Sequence, residues 1–150
     1  MVKAAVVYVT RSGETGKIGG LIAEGMRFEG MEVKVMEAKE VSDPAMLEGY
    51  DAVVLGAPTY HGGMLKGMET FLFLLEKAEL SGKVGGAFGA FGWSAEAPTR
   101  IYDTMEHVLG MAMVGGPLLL KSSSLGGGIG MAQDYGREVA RGVVAQKASA

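Results

Sequence analysis

Residues 10–15 read Thr-Arg-Ser-Gly-Glu-Thr and stand at the junction between an apolar run and a helical pattern. The run, residues 2–9, is rich in β-branched side chains and reads as a buried central strand. Ile18, Leu21, Ile22, Gly25 and Met26 then recur at helical spacing, and Gly30 closes that helix. A strand that passes through a hydroxyl-rich turn into a helix start is a device for holding a phosphate. N–H groups without intrahelical partners point outward there, and the helix dipole favours an anion. Thr10, Ser12 and Thr15 add hydroxyl donors, Gly13 permits close approach of the backbone, and Arg11 and Lys17 place positive charge nearby. Glu14 fits only if its carboxylate turns to solvent while its N–H serves the anion. The same residue types also serve as ordinary helix caps.

The stretch is not a nucleotide P-loop: Gly16-Lys17 is followed by Ile18, and Arg11 stands where that motif needs its first glycine. The first turn also lacks the Gly-x-Gly-x-x-Gly of dinucleotide sites. Two further loops carry unusual residues. After an apolar run at 52–57 come Pro58, Thr59, Tyr60, His61, Gly62 and Gly63. After a Gly/Ala/Phe-rich run at 84–91 come Gly92, Trp93 and Ser94, with Ala90 and Phe91 leading in and Trp93 the sole tryptophan.

The elements that must position these loops alternate along the chain. Residues 31–36 alternate apolar and charged side chains and suit an edge strand. Asp43-Pro44 opens a short helix to about residue 49, with Asp as cap. Met68, Leu72 and Leu75 make a helical stripe, and Phe71, Phe73 and Leu74 leave that helix apolar on most sides. Ile101, Met105, Val108, Leu109 and Ala112 predict a long helix. Residues 113–120 form a fifth strand interrupted at Gly115-Gly116-Pro117. A Gly-rich connection at 122–130 leads to a last helix marked by Ala132, Tyr135, Val139 and Val143. Five strands alternating with five helices predict an α/β, doubly wound, five-stranded parallel sheet in a single domain, residues 1–150. In such folds a ligand lies beyond the carboxyl ends of the strands. The three loops fall there, offering a phosphate cradle at one end and flat apolar walls at the other.

Composition narrows the function. The 150 residues, 48 % of them hydrophobic, suffice for one folded domain. A net charge of −3 with no basic stripe argues against nucleic acid as a partner. The chain has no Cys, which excludes thiol redox chemistry, disulfides and iron–sulfur clusters. His61 and His107 have no carboxylate at ligand spacing, so no dedicated metal site is expected. The first strand begins almost at Met1, so no leader segment is expected, and no apolar run approaches the ~18–20 residues of a membrane span. The expected setting is cytoplasmic, without a membrane partner.

The three loops, in order and spacing, resemble those of the flavodoxin superfamily. The spacing Thr-x-Ser-Gly-x-Thr at 10–15 is similar to a flavodoxin FMN phosphate loop. Residues 85–96, Gly-Gly-Ala-Phe-Gly-Ala-Phe-Gly-Trp-Ser-Ala-Glu, most resemble the second flavin loop of the flavodoxin-like domain of flavodiiron proteins (A-type flavoproteins). Gly56-Ala57-Pro58-Thr59 fits that domain's first flavin loop, whereas Tyr60-His61-Gly62-Gly63 is nearer in character to flavodoxin-like quinone reductases. The resemblance covers essentially the whole chain and implies strand order 2-1-3-4-5, in the short-chain form, with FMN as cofactor. Within these 150 residues no di-iron domain like that of the flavodiiron proteins is expected, so their oxygen or nitric oxide reduction is not carried over.

Under this resemblance Thr10, Arg11, Ser12, Gly13, Glu14 and Thr15 hold the FMN phosphate. Pro58 to Gly63 and Ala90 to Trp93 surround the ring. Trp93 packs on or beside the isoalloxazine, or else is a core tryptophan. Tyr60 covers the other side, or is an exposed loop residue. Gly62 or Gly63 presents a peptide to flavin N5, and His61 either faces flavin N1 or lies in solvent. No catalytic acid–base pair accompanies these loops. The leading expectation is an FMN-dependent electron carrier, monomer or homodimer, serving redox partner proteins. The alternatives are an NAD(P)H-dependent quinone or flavin reductase on the same fold, and a non-redox module binding another phosphate ligand or a protein.

Overall fold

A computed structural model describes residues 2–60, 63–64, 66–90, 96–120 and 127–149, with backbone only for Tyr60, Gly63 and Met64. Strands β1 (Lys3–Tyr8), β2 (Glu32–Glu37) and β3 (Ala52–Gly56) are followed by a short antiparallel pair, β4 (Thr59–Tyr60) and β5 (Gly63–Met64). Then come β6 (Val84–Ala90), β7 (Ala112–Met113) and β8 (Leu118–Leu120). The helices are α1 (Glu14–Phe28), α2 (Lys66–Leu75), α3 (Glu96–His107) and α4 (Gly128–Ala148). The main sheet is parallel, in the order β2-β1-β3-β6-β7, with β8 also on β6. With β7 and β8 read as two pieces of one fifth strand, this is the 2-1-3-4-5 order.

The alternation of side chains along β1 shows why both faces are covered. Ala4 and Val6 pack with Ile18, Ile22, Ala132 and Val139 of α1 and α4. Ala5 and Val7 face the other way, onto a cluster with Met68, Leu72, Ile101 and Met105 of α2 and α3. A strand buried on both sides needs a continuous apolar run, and β3 is buried at every position. β2 keeps Glu32 and Lys34 exposed and lies at the sheet edge, as its charge alternation predicts.

Three boundaries differ from the sequence reading. Residues 44–49 form a 3-10 helix, not an α-helix, with Asp43 as cap accepting from the Ala45 N–H at 2.9 Å. The segment is one of two short 3-10 pieces between β2 and β3, too short to support a packed α-helical face. The α3 helix starts at Glu96 and ends at His107, so Val108, Leu109 and Ala112 of the expected stripe lie beyond it. Gly110, at φ +70°, turns the chain there, and Ala112 enters the sheet instead. The loop after β3 contains the β4–β5 pair rather than irregular chain.

The interruption of the fifth strand has a compensating partner. β7 pairs with Val84 and Gly85, and β8 resumes at Phe88, so the middle of β6 loses strand partners on that side. The Ala87 N–H donates instead to Tyr135 Oη of α4, at 3.0 Å. From the opposite helix layer, Tyr102 Oη donates to the Gly115 carbonyl at 2.7 Å. Tyr135→Phe leaves the Ala87 N–H buried without an acceptor, an expected loss of about 1–3 kcal/mol in urea unfolding. Burial also pushes the Tyr135 phenol well above its ordinary value. The folded state therefore holds this proton more tightly than the unfolded chain does. Stability is full below about pH 10 and falls as pH rises beyond it. Tyr135→Phe should flatten that alkaline slope.

Candidate functional site

The first loop leaves β1 and enters α1 through Gly13. This residue is the N-cap, at φ +91°, and offers no side-chain hydrogen bond to the helix. A Ser, Thr, Asp or Asn cap would consume a first-turn N–H group; Gly13 consumes none. The loop is braced from behind, because the Gly13 N–H donates to Thr10 Oγ1 at 2.9 Å. That bond uses the Thr10 oxygen as acceptor and leaves its hydroxyl hydrogen to point elsewhere. Val9 N–H donates to the Gly56 carbonyl at 3.0 Å, tying the loop's root to the end of β3. Arg11, Ser12 and Gly13 are exposed. Thr15, the second residue of the helix, is only 1 % exposed. Beneath the helix start, Gly16 lies against the Tyr8 ring, where a Cβ would come within 3.0 Å. An exposed turn at a helix start, with the positive end of the dipole and hydroxyl groups beside it, fits a phosphate group.

The start of α3 faces the same end of the sheet and takes a side chain from another loop. Its Ala97 N–H donates to Thr59 Oγ1 at 2.9 Å, and Pro98 has no N–H to offer. The Thr59 hydroxyl thus caps a helix from a different loop. Pro58 is buried and Ala90 half-buried at the exit of β6. Gly89 lies so close to the Ala57 carbonyl that a Cβ would come within 2.2 Å of its oxygen. Phe88 fills the space below, its ring over Gly56 and Gly19. The expected positions His61, Gly62, Phe91, Gly92 and Trp93 lie outside the described residues. On the other side of Thr10, a cleft of about 640 Å³ opens between the exits of β1 and β2 and α2, with Val9, Val41, Leu74, Lys39 and Lys66 among its walls.

The structure therefore brings the roots of the three loops, Val9, Gly56–Ala57 and Phe88–Gly89, together at one end of the sheet. The residue pattern places Thr59 beside the ligand; its oxygen is engaged with Ala97. The clue in the sequence is weak, since Ala95 before the helix has no side-chain oxygen and capping from elsewhere is not a local pattern.

A doubly wound sheet with this order and this open helix start defines a class, and comparison with known proteins identifies it. Residues 5–111 match the family model described as flavodoxin domain, and the chain belongs to that family. It is 32 % identical over 113 residues to a type A flavoprotein of Rhodobacter capsulatus, covering 72 % of this chain and 26 % of the relative. It is 31 % identical over 146 residues to an NAD(P)H dehydrogenase (quinone) of Chromohalobacter salexigens, covering 78 % and 72 %. A solved flavodoxin from the domain Archaea superposes with a TM-score of 0.89 at 30 % identity, over 95 % of this chain and 99 % of that one. The chain spans 30 % or less of the length of the first curated relatives it matches. Homologous flavodoxin domains bind FMN. No helix among the described residues is long and apolar enough to cross a membrane.

Proposed function

We propose that the chain binds FMN at the carboxyl ends of β1, β3 and β6 and carries electrons between redox partner proteins in the cytoplasm. The observation that carries this reading is the first turn of α1, which starts on Gly13 without a side-chain cap, beside a Thr10 hydroxyl held by the loop itself. Bound there, FMN supplies one- and two-electron chemistry at its ring. The chain's own residues do the holding. The backbone N–H groups of Ser12, Glu14 and Thr15 and the hydroxyls of Thr10, Ser12 and Thr15 receive the phosphate over the Gly13 turn, with Arg11 supplying positive charge. Pro58 to Gly63 and Ala90 to Trp93 form the ring pocket, Tyr60 and Trp93 its flat walls, and His61 with Gly62 or Gly63 its polar edge. Support for a carrier comes from the archaeal flavodoxin, matched over 99 % of its length.

A second reading, an NAD(P)H-dependent quinone or flavin reductase, is favoured by the Chromohalobacter relative, of which the chain covers 72 %. One experiment separates the two. The purified protein, supplied with FMN, is titrated without oxygen, first with NADPH and then with dithionite, while its visible spectrum is followed. The expected result is a yellow protein that dithionite bleaches and NADPH does not. Rapid bleaching by NADPH selects the reductase, and failure to take up FMN overturns both readings.

A further inference from the structure

The apolar character of α2 exceeds what its packing on the sheet uses. Met68, Phe71, Leu72 and Leu75 form its buried stripe. A second stripe, Gly67, Thr70, Phe71 and Leu74, recurs at helical spacing beside the first and lines the cleft of about 640 Å³ at the exits of β1 and β2. Val9 and Val41 are further walls. Val9, Val41 and Phe71 belong to the core cluster on the α2–α3 face, whereas Ile18 and Ile22 of α1 belong to the cluster on the other face. The cleft therefore lies across the sheet from the helix whose start fits a phosphate. Gly67 keeps it open: a Cβ there would already be in ordinary contact with Val9, 3.5 Å from Cγ1, and a longer side chain would occupy the space between the walls. The charges around the cleft are uneven. Lys39 and Lys66 line it, against the carboxylate of Glu37. Lys39 Nζ lies 3.6 Å from Glu37 Oε2, while Lys66 has no ion pair among the described residues. The nearby Glu40 carboxylate is turned onto the Glu37 N–H, at 2.8 Å.

We propose that this cleft is a second binding site, for an organic acid with an apolar body and one carboxylate. The body lies on Val9, Val41, Phe71 and Leu74, and the carboxylate meets Lys66, with the Thr70 hydroxyl one turn further along the same helix face. Mostly apolar walls with a few polar groups, around several hundred Å³, are the ordinary form of a small-molecule site. Burial of the apolar body supplies most of the affinity, and the lysine selects the sign of the charge. A cationic ligand would meet two ammonium groups against one carboxylate, and a wholly polar anion would leave the apolar walls without a partner. The proposal goes beyond flavin binding and does not depend on it, because none of these side chains is assigned to FMN.

The test titrates the purified protein with 2-naphthoate while the methyl NMR signals of Val9, Val41 and Leu74 are followed. Saturable shifts at these methyls are expected, with a Kd of about 1 mM or tighter. The neutral analogue 2-naphthalenemethanol should bind about fivefold more weakly. Lys66→Met should remove that difference by weakening 2-naphthoate alone. Gly67→Leu fills the cleft and replaces a helix glycine with a better helix former. It should weaken both compounds at least about 10-fold and melt no lower than wild type. Saturating FMN should leave the 2-naphthoate Kd within about twofold. The proposal is overturned if these methyls show no saturable shift, if Gly67→Leu binds 2-naphthoate as wild type does, or if the alcohol binds as tightly as the acid. Displacement of 2-naphthoate by FMN also overturns it, because the acid then occupies the flavin site. A protein that takes up no FMN but binds 2-naphthoate in this pattern overturns the flavin reading alone and supports the second site.

Discussion

Ser12→Asp should abolish most FMN binding while leaving the fold intact. Ser12 is exposed, immediately before the Gly13 cap of α1. A carboxylate there would lie on the order of 5 Å from a phosphate seated on the helix start. At an effective dielectric constant of about 20, repulsion between two unit charges at that distance is about 3 kcal/mol. That corresponds to a rise in Kd of roughly 100-fold, and loss of the serine donor acts in the same direction. The helix itself gains from the change, because a negative charge near its N-terminus complements the dipole by about 0.3–1 kcal/mol. The variant should therefore melt no lower than wild type. Riboflavin, which lacks the phosphate, should bind both proteins equally, and 1 M salt should recover part of the lost FMN affinity through screening. Equal FMN affinity in the two proteins would place the phosphate elsewhere.

The same change, Gly to Ala, should have opposite signs at two positions of α1. Gly25 packs against α4 so closely that a Cβ would lie 1.9 Å from the Gln133 carbonyl oxygen. The contact is reciprocal: a Cβ on Gly136 of α4 would lie 2.0 Å from the Ile22 carbonyl oxygen. Backbone atoms cannot rotate aside, so Gly25→Ala must separate the two helices. An expected loss of about 3 kcal/mol, at the upper end of ordinary overpacking, corresponds to a fall in melting temperature of roughly 6–12 °C. Gly20, five residues earlier on the same helix, has ordinary helical backbone, and a Cβ added to it would meet no atom within 4 Å. Gly20→Ala should stabilise the protein by up to about 1 kcal/mol through helix propensity alone. Thermal and urea unfolding of both variants checks the pair. A loss at both positions would mean that α1 tolerates no added side chain on either face.

Much of the architecture is legible in the residues, because strand and helix signals are local. The apolar run of β1, the charge alternation of β2 and the 3.6-residue spacing of α1 are each readable within a window of a dozen residues. Asp43 is readable as a cap, since capping is a short-range hydrogen bond, but the same cue does not distinguish a 3-10 turn from an α-helix. The end of α3 is misread because Leu109 and Ala112 continue an apolar spacing that Gly110 ends by its backbone conformation. The position of the hydroxyl-rich loop at residues 10–15 follows from its place between strand and helix. Its openness does not, because Ser12 and Gly13 are equally available as caps and only the backbone shows that Gly13 is the one used.

By itself, then, the sequence determined the alternation of elements, the three loops at the carboxyl ends of the strands and the absence of thiol chemistry. Each depends on residue type and near neighbours. Tertiary structure alone decided which distant groups become partners. Thr59 finds Ala97 across 38 positions, Tyr135 fills the gap beside Ala87 across 48, and Gly25 meets the backbone of Gln133 on another helix. Such partners are chosen by the packing of layers on the sheet, and a hydroxyl's nearest acceptor or donor in space leaves no periodic trace along the chain.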